Sequence, residues 1–213
     1  METVASRKTQ LRRDIRGRLK ALSGPELLDK SREIAANLFA TPWWEAAGWV
    51  FAYIAMPGEV ETREIIVRAY REQKRVAIPR MQGDDLVFYC YDGKTRELLP
   101  NQFGVLEPDP RWMMVDPLRL DAEGAGPAGQ GRLLILAPGL GFDRSRRRLG
   151  RGKGYYDRVL SSLRRAGGGF AVVGLAYSEQ LVEEIPVHDH DQPLDGVVTD
   201  REVIAWPGPS GVP

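Results

Sequence analysis

Three short stretches of this chain are apolar from end to end: Trp49 to Ile54, Leu133 to Ala137 and Ala171 to Ala176. Each is the length of a strand and shorter than an ordinary helix. A strand without polar alternation has both faces covered, which is the habit of parallel sheets packed between helices. Segments with helical spacing lie between these runs. The chain is therefore expected to fold as an α/β protein, with a mainly parallel sheet and helices on both faces.

The helices read as follows. Leu11, Ile15 and Leu19 recur every four residues on one face of a first helix, and Ser23, Pro25 and Glu26 signal the start of a second. Glu61 to Glu72 has helical spacing with Thr62 as its cap, and a further helix should run from Tyr155 to about Arg165. Glu179 to Glu184 reads as a short one. Val76 to Pro79, Leu86 to Tyr91, Val197 to Thr199 and Val203 to Trp206 complete the strands. Residues 1–206 are read as one domain. Within it, 116–131 is rich in Gly, Ala and Pro without apolar period and reads as a surface loop insertion; 207–213 reads as a disordered tail.

Charge narrows the function. Thirty Lys and Arg stand against 29 Asp and Glu, a net charge of +1, so no global field draws the chain to nucleic acid or to an anionic membrane. No stretch is apolar enough to span a bilayer. The arginine-rich start contains Glu2 and Asp14, unlike an acid-poor transit peptide, and no apolar run of the secretory kind follows it. The single cysteine, Cys90, lies in an apolar run and fits a buried thiol in a reducing compartment. A cytoplasmic protein is expected.

Chemistry concentrates in three segments. After the strand Leu133 to Ala137, the chain reads Arg148-Leu149-Gly150-Arg151-Gly152-Lys153-Gly154-Tyr155-Tyr156-Asp157 and enters a helix. Alternating glycines let the backbone approach a ligand and turn its N–H groups inward, Arg148, Arg151 and Lys153 add cations, and the helix N-terminus adds its dipole. Phosphate uses all three. The segment is not a P-loop, since Arg147 stands where that motif's first glycine belongs and Gly154 replaces its Ser/Thr. The second segment, Ile54-Ala55-Met56-Pro57-Gly58-Glu59, leaves another strand and sets a carboxylate at its exit, able to accept from an amino-pyrimidine edge. In the third, His188-Asp189-His190-Asp191, no further His or Cys completes a zinc set, whereas one acid could help hold Mg²⁺ beside a nucleotide. Two competing readings remain: another small-molecule kinase or ligase of the same fold, and a nucleic-acid patch over Arg144 to Lys153.

Lys8-x-x-Leu11-Arg12, Met56-Pro57-x-Glu59-x-x-Thr62, Pro138-Gly139-Leu140-Gly141-Phe142-Asp143 and the segment from Arg148 to Asp157 together resemble the 5-formyltetrahydrofolate cyclo-ligase family, also called methenyltetrahydrofolate synthetase. The likeness runs in order from about Lys8 to Arg201. It implies a fold similar to the ribose-phosphate and glucosamine-phosphate isomerases and the CoA transferases. It also implies ATP- and Mg²⁺-dependent cyclisation of 5-formyltetrahydrofolate to 5,10-methenyltetrahydrofolate, with ADP and phosphate released. By position, Lys8, Arg12 and Arg148, Leu149, Gly150, Arg151, Gly152, Lys153, Gly154, Tyr155 and Tyr156 would contact ATP. Ile54, Met56, Glu59 and Arg151 to Tyr155 would contact the folate, and Asp157 and Asp191 would hold Mg²⁺, with Asp189 the alternative to Asp191. Arg148, Arg151 and Lys153 are the expected catalytic cations. The expected partners are these small molecules alone, with no nucleic acid and no membrane, for a monomer or weak homodimer.

Overall fold

The computed structural model describes residues 3–93, 98–101, 104–122, 132–167 and 169–205. Helix α1 (Val4–Lys20) begins where the Thr3 hydroxyl accepts from the Ser6 N–H, and it buries Ile15 and Leu19. Helix α2 (Gly24–Phe39) starts with a reciprocal cap: Glu26 accepts from the Ser23 N–H at 2.8 Å while its own N–H donates to the Ser23 hydroxyl. Short α3 (Pro42–Ala46) delivers the chain to β1 (Ala47–Phe51). Helix α4 (Arg63–Arg71) then leads to the hairpin β2 (Arg75–Gln82) and β3 (Asp85–Cys90). A two-stranded arm, β4 (Leu99–Pro100) with β5 (Leu106–Glu107), precedes β6 (Met114–Val115) and helix α5 (Pro117–Ala122).

Strand β7 (Arg132–Ala137) opens the second half. It is followed by the small hairpin β8 (Gly141–Asp143) and β9 (Arg148–Leu149), helix α6 (Tyr155–Ala166) and strand β10 (Phe170–Ala176). A 3₁₀ turn (Ser178–Gln180), β11 (Leu181–Val182), β12 (Gly196–Thr199) and β13 (Val203–Ala205) end the described chain. The main sheet has the order β13-β12-β10-β7-β1-β2-β3-β6, parallel from β12 to β2 and antiparallel at both margins.

Period-two alternation sorts the sheet's side chains onto two buried faces. Val50, Leu134, Leu136, Val173 and Leu175 join the core under α1, α2 and α4, whereas Phe51, Leu133, Ile135 and Val172 join Leu160 and Leu163 of α6. Both halves of each apolar run are thus used, as the continuous pattern required. At β1 and β7 the chain's progress reverses: α4 carries it from β1 towards β2, while α6 carries it from β7 towards β10. A crevice opens at such a reversal, outside the carboxyl ends of the strands.

Some local expectations give way to tertiary contacts. Glu179 to Glu184 is not a helix; a 3₁₀ turn leads into β11, which pairs in parallel with β8 through Leu181 and Phe142. The Thr62 hydroxyl does not cap α4 but donates to the Tyr53 carbonyl at 2.6 Å. Of the segment 116–131, residues 117–122 form α5, and 123–131 lie outside the described residues, as do Trp206 and the tail 207–213. Cys90 is partly buried at the end of β3. Among the described residues no helix is long and apolar enough to cross a membrane.

Phe142, fully buried, needs two glycines around it: a Cβ at Gly139 would lie 2.6 Å from its ring and one at Gly174 2.5 Å. Gly174→Ala should cost about 1–3 kcal/mol by overpacking, read as a lower denaturant midpoint. An unchanged midpoint would show that the Phe142 ring has room to yield.

Candidate active site

One cleft of about 1000 Å³ lies at the carboxyl ends of β1 and β7. Its wall draws on chain segments far apart in sequence: Lys8 and Arg12 from α1, Ile54, Met56 and Glu59 after β1, every residue from Arg148 to Asp157, and Asp191. The residues expected from the sequence to serve ATP, folate or metal thus line the same cavity, except Asp189, the alternative to Asp191, which is not on its wall.

The glycine-rich segment is anchored by Arg148. Its guanidinium donates to Asp157 at 2.9 Å and to the Pro138 carbonyl at 3.2 Å, and lies over the Tyr156 ring. The exit of β7 is thereby tied to the first turn of α6. Gly152 (φ +107°) and Gly154 (φ +68°) take backbone conformations that side chains resist, and Gly154 precedes the helix without any side-chain cap. The amino end of α6 opens towards the cleft, its leading N–H groups and dipole suited to an anion. Arg12 holds the loop from the opposite side, donating from Nε to the Gly150 carbonyl at 3.0 Å. Burial and the neighbouring Arg16 pull the Arg12 guanidinium below its ordinary pKa, against an opposing pull from Asp191.

The turn after β1 places Glu59. Gly58 adopts φ +83°, and the carboxylate accepts from the Met56 N–H at 3.0 Å, closing the turn on itself. Its other oxygen receives Arg151 Nε and Nη2 at 3.1 and 3.0 Å, an ion pair that joins this turn to the glycine-rich loop. Lys8, only 7 % exposed, pairs with Asp191 at 2.5 Å. Burial pushes the Asp191 carboxyl up, but hydrogen bonds from Lys8 and the His188 N–H outweigh it and hold the group below the ordinary carboxylate range. Asp191 lines the cleft, flanked by the stacked rings of His188 and His190.

Among the described residues no group of three or more His, Cys, Asp or Glu side chains is arranged to hold a metal ion. Asp157 and Asp191 are among the carboxylates that line the cleft, and Mg²⁺ needs no more than one or two when phosphate oxygens and water complete its shell. The donor set suits a cation that arrives with a polyphosphate.

Sequence reasoning missed the apolar side of the cleft, where Pro79, Met81 and Leu86 of the β2–β3 hairpin face Val105 and Leu106 of the arm. A strand–Gly–strand pattern around Gly83 was the available signal for the hairpin; the arm carries none. Four guanidiniums of the basic run have carboxylate partners within the fold. Arg144 pairs with Glu202 at 2.7 Å, Arg147 with Glu184 at 3.1 Å, Arg148 with Asp157 and Arg151 with Glu59.

A model of the 5-formyltetrahydrofolate cyclo-ligase family matches residues 4–200. The chain belongs to this family. It is similar to the mouse 5-formyltetrahydrofolate cyclo-ligase, with 33% identity over 197 residues that cover 92% of this chain and 95% of the mouse protein. The Escherichia coli K12 enzyme of that name is 31% identical over 196 residues, 90% of this chain and 100% of its own. Among solved structures, the 5,10-methenyltetrahydrofolate synthetase of Aquifex aeolicus matches with a TM-score of 0.74 and 28% identity, over 97% of this chain and 96% of that one. The Mycoplasma pneumoniae synthetase matches with a TM-score of 0.66 and 25% identity, over 91% and 98%. Family, α/β fold and ligase class therefore agree with the expectation from sequence.

The Arg148 side chain is nearly buried, so removing it leaves the Pro138 carbonyl without this donor and Asp157 without its cation, with the Gln192 N–H at 3.4 Å remaining. Arg148→Met should destabilise the fold by about 3 kcal/mol in denaturant unfolding, and Arg148→Lys, lacking the planar fork, should restore only part of it. A Met variant as stable as the parent would show that the loop is anchored elsewhere.

Proposed function

We propose that this cleft binds ATP at its cation-rich end and 5-formyltetrahydrofolate beside Glu59, and carries out the ATP-dependent cyclisation to 5,10-methenyltetrahydrofolate. The observation that carries the proposal is the convergence of Lys8 and Arg12, Ile54 to Glu59, Arg148 to Asp157 and Asp191 on one cleft large enough for two ligands. Cations and a helix N-terminus gather at one end. At the other, a carboxylate stands among apolar walls, suited to a flat heterocycle with donor groups on its edge.

A formyl oxygen is a poor leaving group. Transfer of the γ-phosphoryl to that oxygen breaks the bond to ADP and makes the oxygen part of a phosphate. N10 then attacks the formyl carbon, the carbon–oxygen bond breaks, and inorganic phosphate departs as N10 loses its proton. No protein nucleophile is needed; the protein's work is to position two ligands and to balance charge on the phosphoryl in flight. Lys153 is suited to that contact, because among the described residues its ammonium makes no ion pair, whereas Lys8, Arg148 and Arg151 are each paired with a carboxylate. Arg148 and Arg151 add charge around it, and Tyr155, its hydroxyl bonded to the Gly83 carbonyl, offers a ring for the folate to pack on. Asp157 and Asp191 would hold Mg²⁺, which when bound supplies charge neutralisation for the polyphosphate. Lys8 and Arg148 neutralise these two acids in the ligand-free cleft, so metal and nucleotide are expected to enter together. The engagement of the Arg144, Arg147, Arg148 and Arg151 guanidiniums within the fold supports small molecules rather than nucleic acid as partners.

Purified protein with ATP, Mg²⁺ and 5-formyltetrahydrofolate should generate the absorbance of the conjugated methenyl product, and Lys153→Ala should lower kcat by about 10²-fold or more. Folded protein that binds ATP but leaves the folate unchanged would overturn the assignment. Calorimetry should find Mg²⁺ alone binding far more weakly than in the presence of ATP; equal affinity in both conditions would show that metal and nucleotide do not enter together.

A further inference from the structure

Tyr177 lies outside the cleft, directly after β10, and is 1 % exposed. Its phenol reaches across to the turn that carries Glu59. The hydroxyl donates to the Glu59 carbonyl at 2.9 Å and lies 3.0 Å from the hydroxyl of Ser31 on α2. Ser31 in turn accepts the Glu61 N–H at 3.0 Å. Glu61 N–H donates to Ser31 and the Tyr177 hydroxyl to the Glu59 carbonyl, while either hydroxyl can donate in the contact between Ser31 and Tyr177. The Ser31 hydroxyl also donates to the Leu27 carbonyl at 2.8 Å, which ties the pair to α2. Burial raises the Tyr177 pKa, so the phenol keeps the proton it donates.

Resting on the folate reading of Glu59 above, we infer that Tyr177 and Ser31 are positioning residues for the folate end of the cleft. They clamp the backbone on both sides of buried Val60 and so fix where the Glu59 carboxylate points. The same residue braces the other strand exit. The Tyr177 N–H donates to the Gln180 side chain at 2.8 Å, and Gln180 donates to the Gly139 carbonyl at 2.8 Å, on the cleft wall after β7. A tyrosine just after β10 thereby registers the exits of β1 and β7 against each other. Buried hydrogen-bond rings of this kind fix geometry because each member left unpaired is costly.

Tyr177→Phe deletes one oxygen and keeps the ring's packing. It should raise the KM for 5-formyltetrahydrofolate about three- to tenfold, leaving the KM for ATP and the kcat close to the parent values. Ser31→Ala should give the same split, and it replaces the test if Tyr177→Phe fails to fold. In a Glu59→Gln background the Tyr177→Phe change should add little, because both act through one carboxylate. A folate KM unchanged in both folded variants, a loss spread equally over both substrates, or full additivity with Glu59→Gln would each overturn the inference while the parent enzyme remains active. A parent without cyclisation activity would instead refute the functional reading on which it rests.

Discussion

The buried guanidinium of Arg148 is the contact on which the cleft depends. It sits where three things must meet: the end of a fully buried strand, a glycine-rich loop with little packing of its own, and the uncapped start of α6. A planar fork can bond a carbonyl and a carboxylate at once and still lay its face on an aromatic ring, which an ammonium cannot do. Its Nε is buried without a partner among the described residues, a cost of about 1–3 kcal/mol accepted at a place where geometry matters more than stability.

The rest of the site extends this logic of paired charge. A chain with nearly equal numbers of acids and bases has gathered five cations around one cavity, Lys8, Arg12, Arg148, Arg151 and Lys153, and has set Asp191, Asp157 and Glu59 against three of them. Such pairs keep the empty cleft close to neutral and stop like charges from forcing it apart. They also hold each side chain near the position a ligand requires, so binding exchanges partners rather than ordering free side chains. The ion pair from Arg151 to Glu59 spans the two ends of the cleft, and a ligand at either end competes for a member of it.

How much of this was legible in the sequence depends on how far apart the contributing residues lie. The segment from Leu133 to Asp157 could be read whole because strand, loop and helix are contiguous and each carries its own signal. The sheet followed from apolar runs that alternate onto two faces. The pairing of Lys8 with Asp191 spans 183 positions, and nothing local marks it. The arm carrying Val105 and Leu106 is likewise defined by what it leans on, with Glu107 accepting from the Met81 N–H at 3.1 Å. Glu179 to Glu184 was misread because its local pattern suits a helix, whereas the edge of β8 recruits Leu181 and Val182 as a strand. Tyr177 looks like one more apolar residue until its hydroxyl is seen to reach Glu59.

If the cleft activates the formyl oxygen by phosphoryl transfer, the fate of that oxygen can be followed with an isotope. With oxygen-18 in the formyl group of 5-formyltetrahydrofolate, one turnover should place the label in inorganic phosphate, since the oxygen that leaves carbon is the one that received the γ-phosphoryl. Label released into water, with unlabelled phosphate, would mean that ATP hydrolysis and ring closure proceed without that shared oxygen and would contradict the account.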